Sequence, residues 1–391
     1  MKILYINPLL PYPVLQGNQR TAINRFKELS KNHEITLIAF YHDKTDLENR
    51  IKQTKEYCTN VSAIYLPKWK AYWNVLSKFA FTKLPLQILY YYSKELENIV
   101  KNIGVDSFDV IHVNSLRTET YFKNRKELPV LIDLHDSMIL NIKRRLEKET
   151  GLAKLIYKIE YNRIKKYEQK VVEEYPNIMV LAEQDKEILN DEKINVIPIG
   201  VDTDFFYNKG KLSNSQILIF SGNMSYTPNV DAIEWFIVNC WSNVKQKVPT
   251  AMLIIAGTDP SVRLNQYRQD ASIMITGKVD SIVDEINKAQ VAITPMQIGS
   301  GMQNKVLEAM ACGVPVITTT LGLGSIEASN EKTIMIADSP NDFSNKCVEL
   351  LTDYAKAKEI GQLGLQFAIN KYSIAAHALG MEKLYESIKK V

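Results

Sequence analysis

The 391-residue chain has little of what would set it apart from ordinary globular proteins. Its four cysteines (Cys58, Cys240, Cys312, Cys347) are scattered without a CxxC pair. That excludes a disulfide framework and a cysteine zinc site, and makes a reducing cytosol the expected compartment. No window approaches the roughly 18–20 uncharged apolar residues of a membrane span. The opening MKILYINPLL lacks a small-residue cleavage site and reads as a first buried strand. Repeats and low-complexity tracts are absent. So is a GxGxxG fingerprint: PLLPYPVLQGNQR, after the first apolar run, holds one glycine, which argues against an NAD enzyme. The net charge of +4 is far from that of a nucleic-acid binder.

Short apolar runs of the buried parallel-strand type do recur, separated by longer amphipathic stretches. Strands are expected at 2–6, 34–40, 61–66, 110–113, 130–133, 178–181 and 195–198. A second series is expected at 217–221, 251–256, 273–276, 291–295, 316–319 and 333–336. Helical patterns fill the gaps, notably at 18–30, 228–239, 305–311 and 342–351. This alternation predicts two doubly wound parallel α/β domains facing a central cleft, 1–200 and 216–370. The polar stretch 201–215 would link them, and a helix at 371–391 would pack back on the first. Residues 1–200 carry six more basic than acidic side chains, whereas the remainder is mildly acidic. Such a half suits an anionic surface or a phosphate-bearing substrate, or is an imbalance over solvated helices.

The most informative segment is GSGMQNKVLEAMACGVPVITT, 299–319. A glycine-containing loop before a helix offers backbone N–H groups and the positive dipole end to an anion. Lys305 in the first turn adds a charge, and Glu308 three residues on can accept hydrogen bonds from paired sugar hydroxyls. The plainer reading is a loop and helix start with a surface Lys–Glu pair. Gly17 would let backbone N–H groups at the helix starting near Asn18 approach a diphosphate.

LEAMACGVPVI resembles the signature of retaining GT-B glycosyltransferases of family four, the glycosyltransferase group 1 enzymes. The form GSGxxNKVLEAMA is similar to a subgroup of bacterial sugar transferases tied to exopolysaccharide and PEP-CTERM (exosortase-type) systems. FSGNMSYTPNVDAIEWF (220–236) is similar to the start of that subgroup's second domain, and IPIGVDTDFF (197–206) to the family's interdomain stretch. The resemblance implies a Rossmann-like pair of domains and transfer from a nucleotide-sugar donor, UDP- or GDP-linked, with no further cofactor. The acceptor would be a saccharide or a lipid-linked one in surface polysaccharide assembly, at the cytoplasmic side.

By the same resemblance Glu308 binds the donor ribose. Gly299, Ser300, Gly301, Met302, Gln303 and Asn304 supply donors to diphosphate and sugar. Lys305 counters charge on the leaving group. Ser300 stands where the family has a first glutamate, and Gly222 and Asn223 stand where relatives carry an Arg–Lys pair, shifting work onto Lys305. Val279, in Gly277–Asp280, resembles the nucleobase loop, or is an ordinary turn. His135, before Asp136, resembles a histidine facing the reacting sugar, with His112 its competitor. The triplet Asp202–Thr203–Asp204 looks like a metal motif of another fold but falls in the linker, so no metal is expected. Alternatives are an epimerase or phosphorylase on the same fold, or a non-catalytic nucleotide-sugar binder.

Residues 68–92 interleave lysines with aromatics, and a second basic stretch follows at 143–168. Two readings stay open: an interfacial segment giving peripheral membrane contact, or a helical hairpin covering the first sheet.

Overall fold

Runs of apolar residues with no polar alternation are buried on both faces, and here they all pair in parallel. The computed structural model describes residues 1–14, 17–135, 137–139, 142–143, 146, 150–210, 212–298 and 303–389. The first unit comprises Met1–Ile199 with His377–Val391, and the second Gly200–Ala376.

In the first unit, β1 (Lys2–Asn7), β2 (Glu34–Tyr41), β3 (Asn60–Tyr65), β4 (Val110–Asn114), β5 (Val130–His135), β6 (Ile178–Val180) and β7 (Asn195–Val196) form one sheet. Its order is β3-β2-β1-β4-β5-β6-β7. Successive side chains point to opposite faces. Ile3, Tyr5, Ile35 and Leu37 therefore join one buried cluster, while Leu4, Ile6, Ile38 and Phe40 join another. Helix Gly17–Leu29 covers the first face with Ala22, Phe26 and Leu29. On the same face lie Ala378, Met381, Leu384, Tyr385 and Ile388, a three-to-four spacing along helix Ile374–Ile388.

The second unit repeats the plan. Here β8 (Ile217–Ser221), β9 (Met252–Ala256), β10 (Ile273–Gly277), β11 (Val291–Thr294), β12 (Val316–Thr318) and β13 (Met335–Ile336) are ordered β10-β9-β8-β11-β12-β13. Phe206 and Leu212 are buried in this unit's core. The helical pattern read at 228–239 forms Thr227–Phe236 and continues through a π-helical turn, Ile237–Trp241, into Ser242–Lys247.

Each sheet reverses strand order once, at β1/β4 and at β8/β11. Such switch points open a crevice at the carboxyl ends of the strands, where ligands of doubly wound folds bind.

Candidate functional site

Lys305 lies at the switch point of the second sheet. It enters in the first turn of helix Asn304–Ala311, whose amino end has Gln303 as its cap residue without a side-chain cap bond. The ammonium donates to Asn229 Oδ1, lies 3.7 Å from Met296 Sδ and sits 4.9 Å from the centroid of the Phe220 ring. Phe220 belongs to β8 and Met296 follows β11, so the cation rests on the two strands that flank the reversal. Burial pushes its pKa down to about 8, against the raising effect of Glu308. Glu308, three residues along the same helix, is half-buried.

The wall opposite Lys305 is built by close backbone approach. Gly222 follows β8 with φ +153°, and a Cβ there would meet Asn229 Nδ2 at 2.8 Å. Gly257 follows β9, and its Cβ would fall 1.7 Å from the Gly222 carbonyl oxygen. Neither position accepts a larger residue. Asn229 is 5% exposed, and its Nδ2 donates to the Asn223 carbonyl at 2.9 Å. Asn223 Oδ1 accepts from the Ser225 backbone and hydroxyl, both at 2.8 Å. Thr319 Oγ1 donates to the Met296 carbonyl at 2.7 Å and braces the other side. Val279 is half-buried, two residues past Gly277, which has φ +70° at the end of β10. Gly299, Ser300, Gly301 and Met302 lie outside the described residues.

In the first unit, β5 ends on a charged cluster. Asp133 is fully buried; burial raises its pKa, but Arg25, His135 and His112 hold it well below the usual carboxylate range. Arg25 donates to Asp133 Oδ2 at 2.6 Å and to the Tyr5 hydroxyl at 2.8 Å. Arg25 Nε also donates to His377 Nε2 at 2.9 Å, and His377 Nδ1 faces the Pro198 carbonyl at 2.6 Å. A guanidinium only donates, so this imidazole is neutral with its proton on Nδ1; burial accordingly pushes its pKa down to about 3. His112 is enclosed between Tyr385 (2.8 Å) and Asp133 (3.2 Å) and stacks on Tyr5, which gives it a structural role.

His135 differs from both. It takes φ +60° at a register shift between β5 and β6, and its backbone N–H donates to Asp133 Oδ1 at 2.9 Å. Its Nε2 has no hydrogen-bond partner and lies 3.7 Å from Asp133 Oδ2; the side chain is 17% exposed. Burial pushes its pKa down to about 4, so it is a neutral imidazole at physiological pH. A non-glycine residue in the left-handed region with an unpaired ring nitrogen has the strained geometry found at working sites. Gly17 opens its helix, and Asn18 Oδ1 accepts from the Gln19 N–H at 2.9 Å.

Asp202 Oδ1 caps a turn by accepting from the backbone of Asp204 and Phe205, both at 3.1 Å. Among the described residues, no cluster of three or more His, Cys, Asp or Glu is placed to hold a metal. Sequence reasoning missed Asn229, Met296, Arg25 and Asp133. An aspartate inside the apolar run VLIDL is a signal in itself, because buried carboxylates need a partner.

Residues 215–353 match the family described as glycosyl transferases group 1. The chain is 24% identical over 404 residues to an uncharacterized 44.6 kDa protein in the cps region of Klebsiella pneumoniae, covering 100% of this chain and 99% of that protein. Among solved structures, sucrose-phosphate synthase from Thermosynechococcus elongatus is similar with TM-score 0.68 and 16% identity, over 99% of both chains. Anabaena HepE in complex with UDP and glucose is similar with TM-score 0.60 and 12% identity, over 99% of this chain and 100% of that one. The two Rossmann-like parallel-sheet units are those of GT-B glycosyltransferase structures.

Proposed function

We propose that this chain, whose residues 215–353 match the family described as glycosyl transferases group 1, transfers a sugar from a nucleoside-diphosphate donor to a saccharide or lipid-linked acceptor, with retention of anomeric configuration. The observation that carries this reading is a half-buried lysine, held on Asn229 and over the Phe220 ring, at the switch point of the second sheet. The complex of HepE with UDP and glucose, on the same fold, supports a nucleotide-sugar donor. The cps-region relative supports a role in surface polysaccharide assembly.

In this reading the diphosphate binds beside Lys305 and the amino end of helix Asn304–Ala311. The ammonium counters the negative charge that grows on the leaving diphosphate; a preorganised cation in a water-poor site lowers the barrier. Bound phosphate also favours the charged form of Lys305, offsetting its depressed pKa. Glu308 accepts the ribose hydroxyls. The departing diphosphate oxygen takes the acceptor proton on the same face, so no separate base is assigned. His135, neutral above about pH 4, serves as a hydrogen-bonding group near the transferred sugar and not as a cation.

The test is a thermal-shift series with UDP, GDP and their sugars, followed by NMR of the product. Ligands that bind the native state raise the melting temperature with log concentration. A diphosphate that stabilises the protein, and an α-linked donor giving an α-linked product, are expected. No response to any nucleoside diphosphate overturns donor binding, and a β-linked product overturns retention.

A further inference from the structure

One helix of the first unit turns its aromatic side to solvent. In Lys68–Lys78 the stripe Trp69, Tyr72, Trp73 and Leu76 is 71%, 59%, 65% and 74% exposed, and Phe81 just beyond is 88% exposed. The inward positions are the small and polar ones, Ala71 and Asn74, with the Asn74 amide donating to the Tyr92 carbonyl at 2.9 Å. A solvated helix has the opposite distribution, and a contiguous exposed apolar patch marks an interaction surface.

The end of the patch is tied to a neighbouring helix. Arg163, on helix Gly151–Glu174, donates to the carbonyls of Leu84 (3.2 Å) and Phe79 (3.0 Å) and lies over the Phe79 ring. Glu160 of the same helix accepts from the Leu86 N–H at 2.8 Å. That helix exposes Leu155, Ile156 and Ile159 next to this junction. The surroundings are cationic: 68–83 holds Lys68, Lys70, Lys78 and Lys83 and no acidic residue. In 151–166, Lys154, Lys158, Lys165 and Lys166 are exposed and the one carboxylate, Glu160, is buried.

We propose that this face docks on an anionic lipid bilayer. The tryptophans and Tyr72 sit at the headgroup level, Leu76 and Phe81 enter the acyl boundary, and the lysines meet lipid phosphates. A second copy fits less well, since a two-fold contact of this face with itself sets lysine against lysine. Among the described residues no helix is long and apolar enough to cross a membrane, so the face lies on the bilayer. The proposal is independent of the transfer reaction.

The test is co-sedimentation of the full chain with phosphatidylcholine vesicles, with and without phosphatidylglycerol, read together with tryptophan emission. Binding and a blue shift with the anionic vesicles are expected. Trp69→Ser/Trp73→Ser and Lys68→Glu/Lys70→Glu/Lys83→Glu should each weaken binding by roughly tenfold or more. Both alter exposed side chains, so an unchanged melting temperature checks that the fold is intact. Absence of vesicle binding, or binding equal in wild type and variants, overturns the proposal. A dimer in sedimentation velocity that Trp73→Ser dissociates, without vesicle binding, assigns the face to a second copy and also overturns it.

Discussion

The side-chain amide of Asn229 joins two parts of the second unit that are far apart in sequence: Oδ1 accepts from the Lys305 ammonium while Nδ2 donates to the Asn223 carbonyl. Asn229 is thereby the positioning residue for the cation, and it is neutral, so the ammonium keeps its charge for a ligand.

That neutrality yields a pH prediction. Lys305 of the free protein is charged below about pH 8, so UDP affinity and kcat/KM should fall as pH rises through that value. Asn229→Asp places a carboxylate beside the ammonium, which moves the alkaline limb to higher pH and weakens UDP binding at neutral pH. A limb that stays in place excludes Lys305 as its source. Folding stability carries the opposite sign. The unfolded chain holds the lysine proton to higher pH than the native state, so stability rises between about pH 8 and the ordinary lysine value.

Lys305→Met keeps the length of the side chain and removes its charge. A loss of about 10²–10³ in kcat is expected, the size seen when one preorganised electrostatic group is deleted. Unchanged single-turnover kinetics would remove the leaving-group role.

Glu308→Gln tests the ribose contact. A hydrogen bond to a charged acceptor contributes about 1.5–3 kcal/mol, so UDP affinity should fall about ten- to a hundredfold. Calorimetry with 2′,3′-dideoxy-UDP separates this contact from a general effect, because that ligand should bind wild type and variant alike. Equal losses for both ligands would count against the assignment.

Asp133→Asn leaves Arg25 fully buried without its counter-charge. Breaking one side of a buried pair costs about 3–5 kcal/mol, to be read as a lower urea midpoint for the first unit. A cost below about 1 kcal/mol would show that His377 and Tyr5 suffice to hold the guanidinium.

Both sheets were legible because continuous apolar runs leave a parallel strand few alternatives, and most boundaries fall within a residue or two. The proximity of Lys305 to Glu308 was legible because both lie within one turn of one helix. The partners of these residues were not. Asn229 is 76 positions from Lys305, and Arg25 is 108 from Asp133; spacing encodes local periodicity, not which distant side chains meet. The stripe 69/72/73/76 was visible as an amphipathic pattern, but a period does not state which side faces the core. Here Ala71 and Asn74 pack inward and the aromatics do not. The π-helical turn at Ile237–Trp241 has no composition cue.

The first unit is discontinuous in the chain, and its buried face includes Met381 and Tyr385 while Arg25 bonds His377. During synthesis, therefore, roughly its first two hundred residues leave the ribosome and wait, with Phe26 and Leu29 only partly covered, until the whole intervening unit has been translated. A stop codon before position 377 removes no residue of the Lys305 cluster. It would nonetheless leave the amino-terminal half as chaperone clientele, with an arginine whose histidine never arrives.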